Sequence, residues 1–285
     1  MLYLPFFGAM ISAGGTIIAK TILKKKNISP SLFQVTVFLG LTGLMLPLIY
    51  FFWRIDLQQA LTYKNLLILG LVVIFSIIAN VLHLHSLKKE KVGNLVSAGA
   101  LSPMFVIILA FIFSFFIDSG LYQREANILI PGLIAATAIL LSHVEKHHFK
   151  FNKYYIYALI AGVFGALELT TSRMILDLYS PITFYFVRVF FILLISLLIF
   201  RPDFKKMDKE SSYLMILACI IWISYRVIIY SGYTSIGIIS TTLIIMLSPT
   251  FLYLFTYIFL KEKIKIKNMA ASAVVIMCIA YVMLF

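Results

Sequence analysis

Apolar runs of about twenty residues alternate with short polar breaks along the whole chain. A bilayer's hydrocarbon core takes roughly 20 helical residues to cross. Lipid would leave the backbone groups of an open sheet or a loop unpaired. The pattern therefore predicts ten spanning helices, at about 3–23, 31–53, 66–87, 92–117, 126–143, 154–176, 181–200, 213–233, 239–260 and 268–285. The breaks are carried by Lys24-Lys25-Lys26-Asn27, Asp118-Ser119-Gly120, the polar run from His143 to Lys153, Ser180-Pro181, Pro202-Asp203 and Lys261-Glu262-Lys263. No connector is long enough to fold into an extramembrane domain, so any function must lie between the helices.

Composition agrees. Of 285 residues, 62% are hydrophobic and only 12% charged, with a mean hydropathy of +1.03; a soluble domain of this length exposes far more charge. The net charge of +13 does not point to nucleic acid, because the lysines sit in connectors beside apolar spans. Eighteen Lys and Arg residues fall in the odd-numbered connectors or their margins, against Arg54, Lys64, Arg124 and Arg173 for the even ones. Cytoplasmic loops carry the basic excess, which predicts odd connectors inside and both termini outside, in a multi-pass protein of the plasma (inner) membrane. Cys219 and Cys278 lie within spans and read as small apolar residues. The first span has no basic leader or small-residue cleavage site and reads as retained.

The chain also repeats itself. Gly8, Ser12, Gly15, Ala19 and Lys20 in span one are matched in spacing by Ala161, Gly165, Glu168, Ser172 and Arg173 in span six. Ser29-Pro30 is matched by Ser180-Pro181, and Leu101-Ser102-Pro103 by Leu247-Ser248-Pro249. Five spans per half is an odd number, so the second half enters the membrane with opposite polarity. The expected fold is an all-α integral membrane protein of ten helices in two inverted five-helix repeats, residues 1–147 and 148–285, the plan of many secondary transporters.

Gly232-Tyr233-Thr234-Ser235-Ile236-Gly237 before span nine, then Leu247-Ser248-Pro249, Leu260-Lys261-Glu262 and a small-residue tenth span with Ala270, Ala271 and Ala273, resemble the EamA-type ten-span members of the drug/metabolite transporter superfamily. The resemblance implies metabolite transport and names no substrate. Two features depart from it: Ser102 and Ser248 stand where the family usually has an acidic residue before the proline, and the family usually keeps its termini in the cytoplasm.

A charge at a helix centre costs about 2.5–3.5 kcal/mol on insertion scales, so intramembrane ionisable residues are the strongest candidates for function. Glu168, Arg188 and Arg226 stand on consecutive spans, each about eight residues, roughly 12 Å, from the end placed outside. One carboxylate cannot neutralise two guanidiniums, and a spare Arg suits an anionic ligand group. Arg226 or Arg188 is expected to hold the substrate anion, and Glu168 to pair with the other or to exchange a proton. Trp222 and Tyr230 share the Arg226 stripe as a candidate ligand wall; packing is the competing reading. Asn80, the repeat counterpart of Arg226, and His83 are candidate secondary cavity residues. Pro103 and Pro249 each remove a helix hydrogen bond and are candidate hinges or fixed kinks. His83, His85 and the group His143, Glu145, His147 and His148 lack zinc-site spacing, and no metal or other cofactor is expected. No phosphate-loop pattern appears, so direct use of ATP is not expected.

The leading expectation is a secondary active transporter, not an enzyme, moving a small metabolite with a carboxylate or other anionic group, such as an amino acid, by alternating access. The partners implied are that solute, membrane lipid and, as a candidate coupling ion, protons, in a monomer or a homodimer, without nucleic acid. The alternatives are a flippase for a lipid-linked sugar or lipid headgroup and, more remotely, a lipid-modifying membrane enzyme. The cavity is expected between spans one, three, four, six, eight and nine, with Arg188 from span seven.

Overall fold

The computed structural model describes residues 3–25, 27–90, 92–117, 120–122, 126–143, 153–251, 254 and 266–284. The polar breaks at Asp118-Ser119, at 144–152 and at Lys261-Glu262-Lys263 lie outside the described residues, as do the end of the ninth predicted span and the boundary drawn at 147.

The described helices are α1 (Tyr3–Leu23), α2 (Pro30–Phe52), the short α3 (Leu57–Ala60), α4 (Tyr63–Lys89), α5 (Val92–Phe116), α6 (Ala126–His143), α7 (Lys153–Arg173), α8 (Pro181–Phe200), α9 (Lys209–Ser235), α10 (Ile238–Ile245) and α11 (Ile266–Leu284). Seven of them, α1, α2, α4, α7, α8, α9 and α11, are long and apolar enough to cross a membrane; α5, α6 and α10 contribute shorter apolar stretches. The outer surface is apolar, with Tyr50, Phe116 and Leu198 among its exposed side chains, as a lipid-facing surface requires.

Local chemistry sets the helix ends. Ser29 and Ser180 cap α2 and α8: each Oγ accepts the backbone N–H three residues on, from Leu32 at 3.1 Å and Thr183 at 3.2 Å. Pro30 and Pro181 follow at the first helical position, where a missing N–H costs nothing. Gly237 turns the chain between α9 and α10 at φ 90°, a conformation that favours glycine.

The helices pack as α1 on α9, α4 on α7, α2 on α8, α5 on α7 and α10, and α6 on α11. The α1–α9 contact depends on Gly15: a Cβ there would stand 2.7 Å from Nε1 of Trp222. Small residues allow this close approach in membranes, where packing replaces a hydrophobic driving force.

Polar contacts tie the helix ends. Lys20, which the charge pattern places among the topology lysines, is buried, and its ammonium donates to the carbonyls of Leu87 and Glu90 at the C-terminus of α4, where carbonyls lack helical partners. At the same end Lys25 pairs with Asp208 at 2.8 Å and Glu210 at 2.7 Å, and Asn27 Nδ2 donates to the Lys206 carbonyl at 2.7 Å. At the opposite end, Asp56 N–H donates to Leu178 O at 2.8 Å and Ser180 N–H to Arg54 O at 2.9 Å. An isolated antiparallel bridge joins Ile55 and Tyr179 there.

The two prolines differ in setting. Pro103 sits inside the continuous helix α5. Pro249 follows a break: α10 stops at Ile245, Met246 and Leu247 form a turn, and helix resumes at Ser248. Leu247 N–H bonds Ile244 O three residues back at 3.0 Å, a tightened final turn. Pro249 therefore starts a helical turn and does not kink an unbroken helix.

Candidate functional site

Three helices converge on one buried carboxylate. Glu168 lies on the α7 face that carries Gly165 and Ser172. Ser172 Oγ turns back to the Glu168 carbonyl at 2.7 Å and also lies 3.5 Å from its Oε1, so the carboxylate's closer partners come from other helices. Arg188 enters from α8, whose start is fixed by the Ser180 cap. Arg226 and Tyr230 enter from one stripe of α9.

Glu168 bridges both guanidiniums. Its Oε1 is 2.9 Å from Nη1 of Arg188 and its Oε2 is 3.2 Å from Nη1 of Arg226. Tyr230 closes the cluster, donating its hydroxyl proton to Oε1 at 2.9 Å and accepting from Arg188 Nη1. The Arg188 guanidinium also lies 5.4 Å from the Tyr185 ring centroid, within cation–π range. Phe184 and Tyr185 meet the Tyr230 ring edge-on at 5.1 and 6.2 Å between centroids. The side chains of Glu168 and Arg188 are 2% and 3% exposed, whereas that of Arg226 is 23% exposed. Nε of Arg188 is buried without a hydrogen-bond partner among the described residues.

The cluster stands behind the wall of a cavity of about 390 Å³, within the usual range for small-molecule sites. Arg188, Arg226, Trp222, Asn80, His83, Pro103 and Pro249 all line it. Tyr230 and Glu168 do not; Tyr230, expected from the sequence as a ligand wall, is fully buried and spends its hydroxyl on the ion cluster. The expectation that Glu168 pairs with one Arg and leaves the other is corrected by its bridging position. Asn80 donates to the Ser76 carbonyl of its own helix at 2.7 Å. Ser12 and Ser248 hydrogen-bond at 2.5 Å, which joins α1 to the point where helix resumes before Pro249. Ser102 Oγ lies 3.4 Å from the Gly162 carbonyl of α7.

Sequence reasoning left α2 out of the wall. Phe33, Gln34, Val37, Phe38 and Leu41 line the cavity, as do Tyr185, Tyr225 and, from the fifth predicted span, Ile139. Two of these carried a signal. Tyr185 stands one turn before Arg188 on the same face, and Gln34 is a polar residue within a span, bonded to Ser196 Oγ at 3.0 Å. Tyr225 and the apolar α2 residues carried none, since on a helix apolar all round no stripe marks the inner side.

The fold and the site together define a multi-pass helical membrane protein with a buried ion cluster beside an internal cavity. Residues 152–284 match the model of the EamA-like transporter family, a family of membrane transporters of small solutes. A solved crystal structure resembles the whole fold, with a TM-score of 0.66 at 14% identity over 99% of this chain and 96% of that one. No curated protein matches the chain.

Proposed function

We propose that this protein is a secondary active transporter that moves a small solute with an anionic group across the plasma membrane by alternating access. The observation that carries this reading is the ion cluster: two guanidiniums share one carboxylate, and the more exposed of the two, Arg226, borders the cavity. A planar guanidinium presents five N–H donors, and one side of Arg226 is committed to Glu168. The other can bind a carboxylate or phosphate bidentately. Trp222 and His83 complete a wall around the ligand, and Pro103 and the break before Pro249 supply the flexure.

Helix pairing supports two inverted halves, 1–147 and 148–285. With short α3 left out of the count, the spans pair first with eighth and ninth, third and fourth with sixth, second with seventh, fourth with ninth and fifth with tenth. Exchanging the halves maps this set onto itself. Ser12 meets Ser248, and its counterpart Gly165 faces Ser102, whose Oγ would lie 3.9 Å from a Cβ at that glycine. The charge asymmetry of the connectors supports termini on the outside. The test is a proteoliposome uptake screen over organic acids, amino acids and nucleotide sugars, with and without a pH gradient. Saturable accumulation of an anion-bearing solute is expected, and no accumulation of any such solute overturns the proposal.

A further inference from the structure

We infer that the solute is a monoanion with an apolar body and no ammonium group. The inference rests on the transport reading above and concerns the same cavity. Glu168, Arg188 and Arg226 sum to one positive charge in a region closed to water on the Arg188 side. Among the described residues lining the cavity none is Asp or Glu, and the Glu168 carboxylate already accepts from both arginines and Tyr230. An ammonium group would therefore find no free carboxylate among the described residues of the wall. It would have to rest on an aromatic face beside two guanidiniums, and cation–π attraction does not offset like-charge repulsion in a desolvated site.

One negative charge balances the cluster; two would leave an excess anion inside the membrane, which is costly. The Nε of Arg188 is buried without a hydrogen-bond partner among the described residues, on a side chain 3% exposed that borders the cavity, so this guanidinium has donor capacity to spare. The wall also holds Phe33, Phe38, Leu41, Val106 and Trp222, beside polar members such as Gln34, Asn80 and Thr242, so the larger part of it suits an apolar body. The cavity therefore discriminates by charge at one pole and by a largely apolar surface along the rest.

The test keeps the body constant and changes the charge. Trp222 lies in the cavity wall, and the other tryptophan, Trp53, is half exposed outside it. Emission of Trp222 in the full chain carrying Trp53→Phe therefore reports occupancy. The probes are 3-phenylpropionate, 3-phenylpropanamide, phenylalanine, 3-phenylpropylamine and phenylsuccinate. The expected result is binding of 3-phenylpropionate at least tenfold tighter than each of the others, with the preference lost in Arg226→Gln. Phenylalanine, the amine or the dianion binding as tightly as the monoanion overturns the inference, as does a preference that survives Arg226→Gln. A folded protein that responds to no probe overturns it too. Arg226-dependent accumulation of a zwitterion in proteoliposomes would sink the inference and leave the transport proposal standing.

Discussion

Replacing Glu168 by Gln tests the ion cluster directly. Gln keeps the shape and one acceptor oxygen, but removes the one negative charge that, among the described residues, faces the two guanidiniums at 2.9 and 3.2 Å. Arg188 is nearly fully buried and cannot turn to water, so its charge stays uncompensated. Breaking a buried pair by removing one partner costs about 3–5 kcal/mol. At about 2–4 °C per kcal/mol for a domain approaching this size, the melting temperature should fall by about 6–20 °C. The assay is thermal unfolding of the purified protein in detergent, followed by intrinsic fluorescence. The double variant Glu168→Gln with Arg188→Met restores the charge balance, so it should melt well above Glu168→Gln alone, a strong non-additivity expected of groups in one network. The reasoning fails if Glu168→Gln melts within about 2 °C of the wild type, less than 1 kcal/mol would produce, or if the second change adds to the damage.

Three further outcomes follow from other contacts. Arg226→Lys keeps the charge and loses the fork; affinity for an anionic solute should drop about 10- to 100-fold, as for loss of a charge-assisted hydrogen bond, while the melting temperature moves little, as read by titration and unfolding of one preparation. Gly15→Val places a side chain where Trp222 Nε1 would stand 2.7 Å from its Cβ; overpacking should cost about 1–3 kcal/mol and shift Trp222 emission, and unchanged emission would refute the contact. The Lys25 ammonium beside Asp208 holds that carboxyl down at about 2, below an unfolded value of about 3.9. Its contribution is therefore complete above pH 4 or so and lost as pH falls through about 2, and Asp208→Asn should remove that part of the acid dependence of stability.

How far the sequence could be read depended on what each residue announces. Span positions were legible because apolar length and Ser-Pro caps are local: α1, α2 and α8 begin and end within a residue or so of the hydrophobic runs. The buried charges were legible because a charge inside a span has no cheap alternative place. Partner choice was not. The stripe Trp222, Arg226, Tyr230 puts three residues on one face of α9, yet Trp222 settles against Gly15 of α1 while Tyr230 turns to Glu168 of α7. That division is set by which neighbour each side chain meets. The turn at Met246-Leu247 was equally hidden, since Pro249 is compatible with both a kink and a helix start. Lys20 reads as a connector lysine until the C-terminus of α4 is brought beside it.

The central claim is that Arg226 binds the anionic group of a transported solute. The most direct measurement is counterflow of a labelled organic monoanion into proteoliposomes, comparing wild type, Arg226→Ala and Lys206→Ala at equal reconstituted protein. Saturable counterflow in the wild type, retained in Lys206→Ala and lost in Arg226→Ala, is the predicted result. Equal counterflow in wild type and Arg226→Ala would contradict the account.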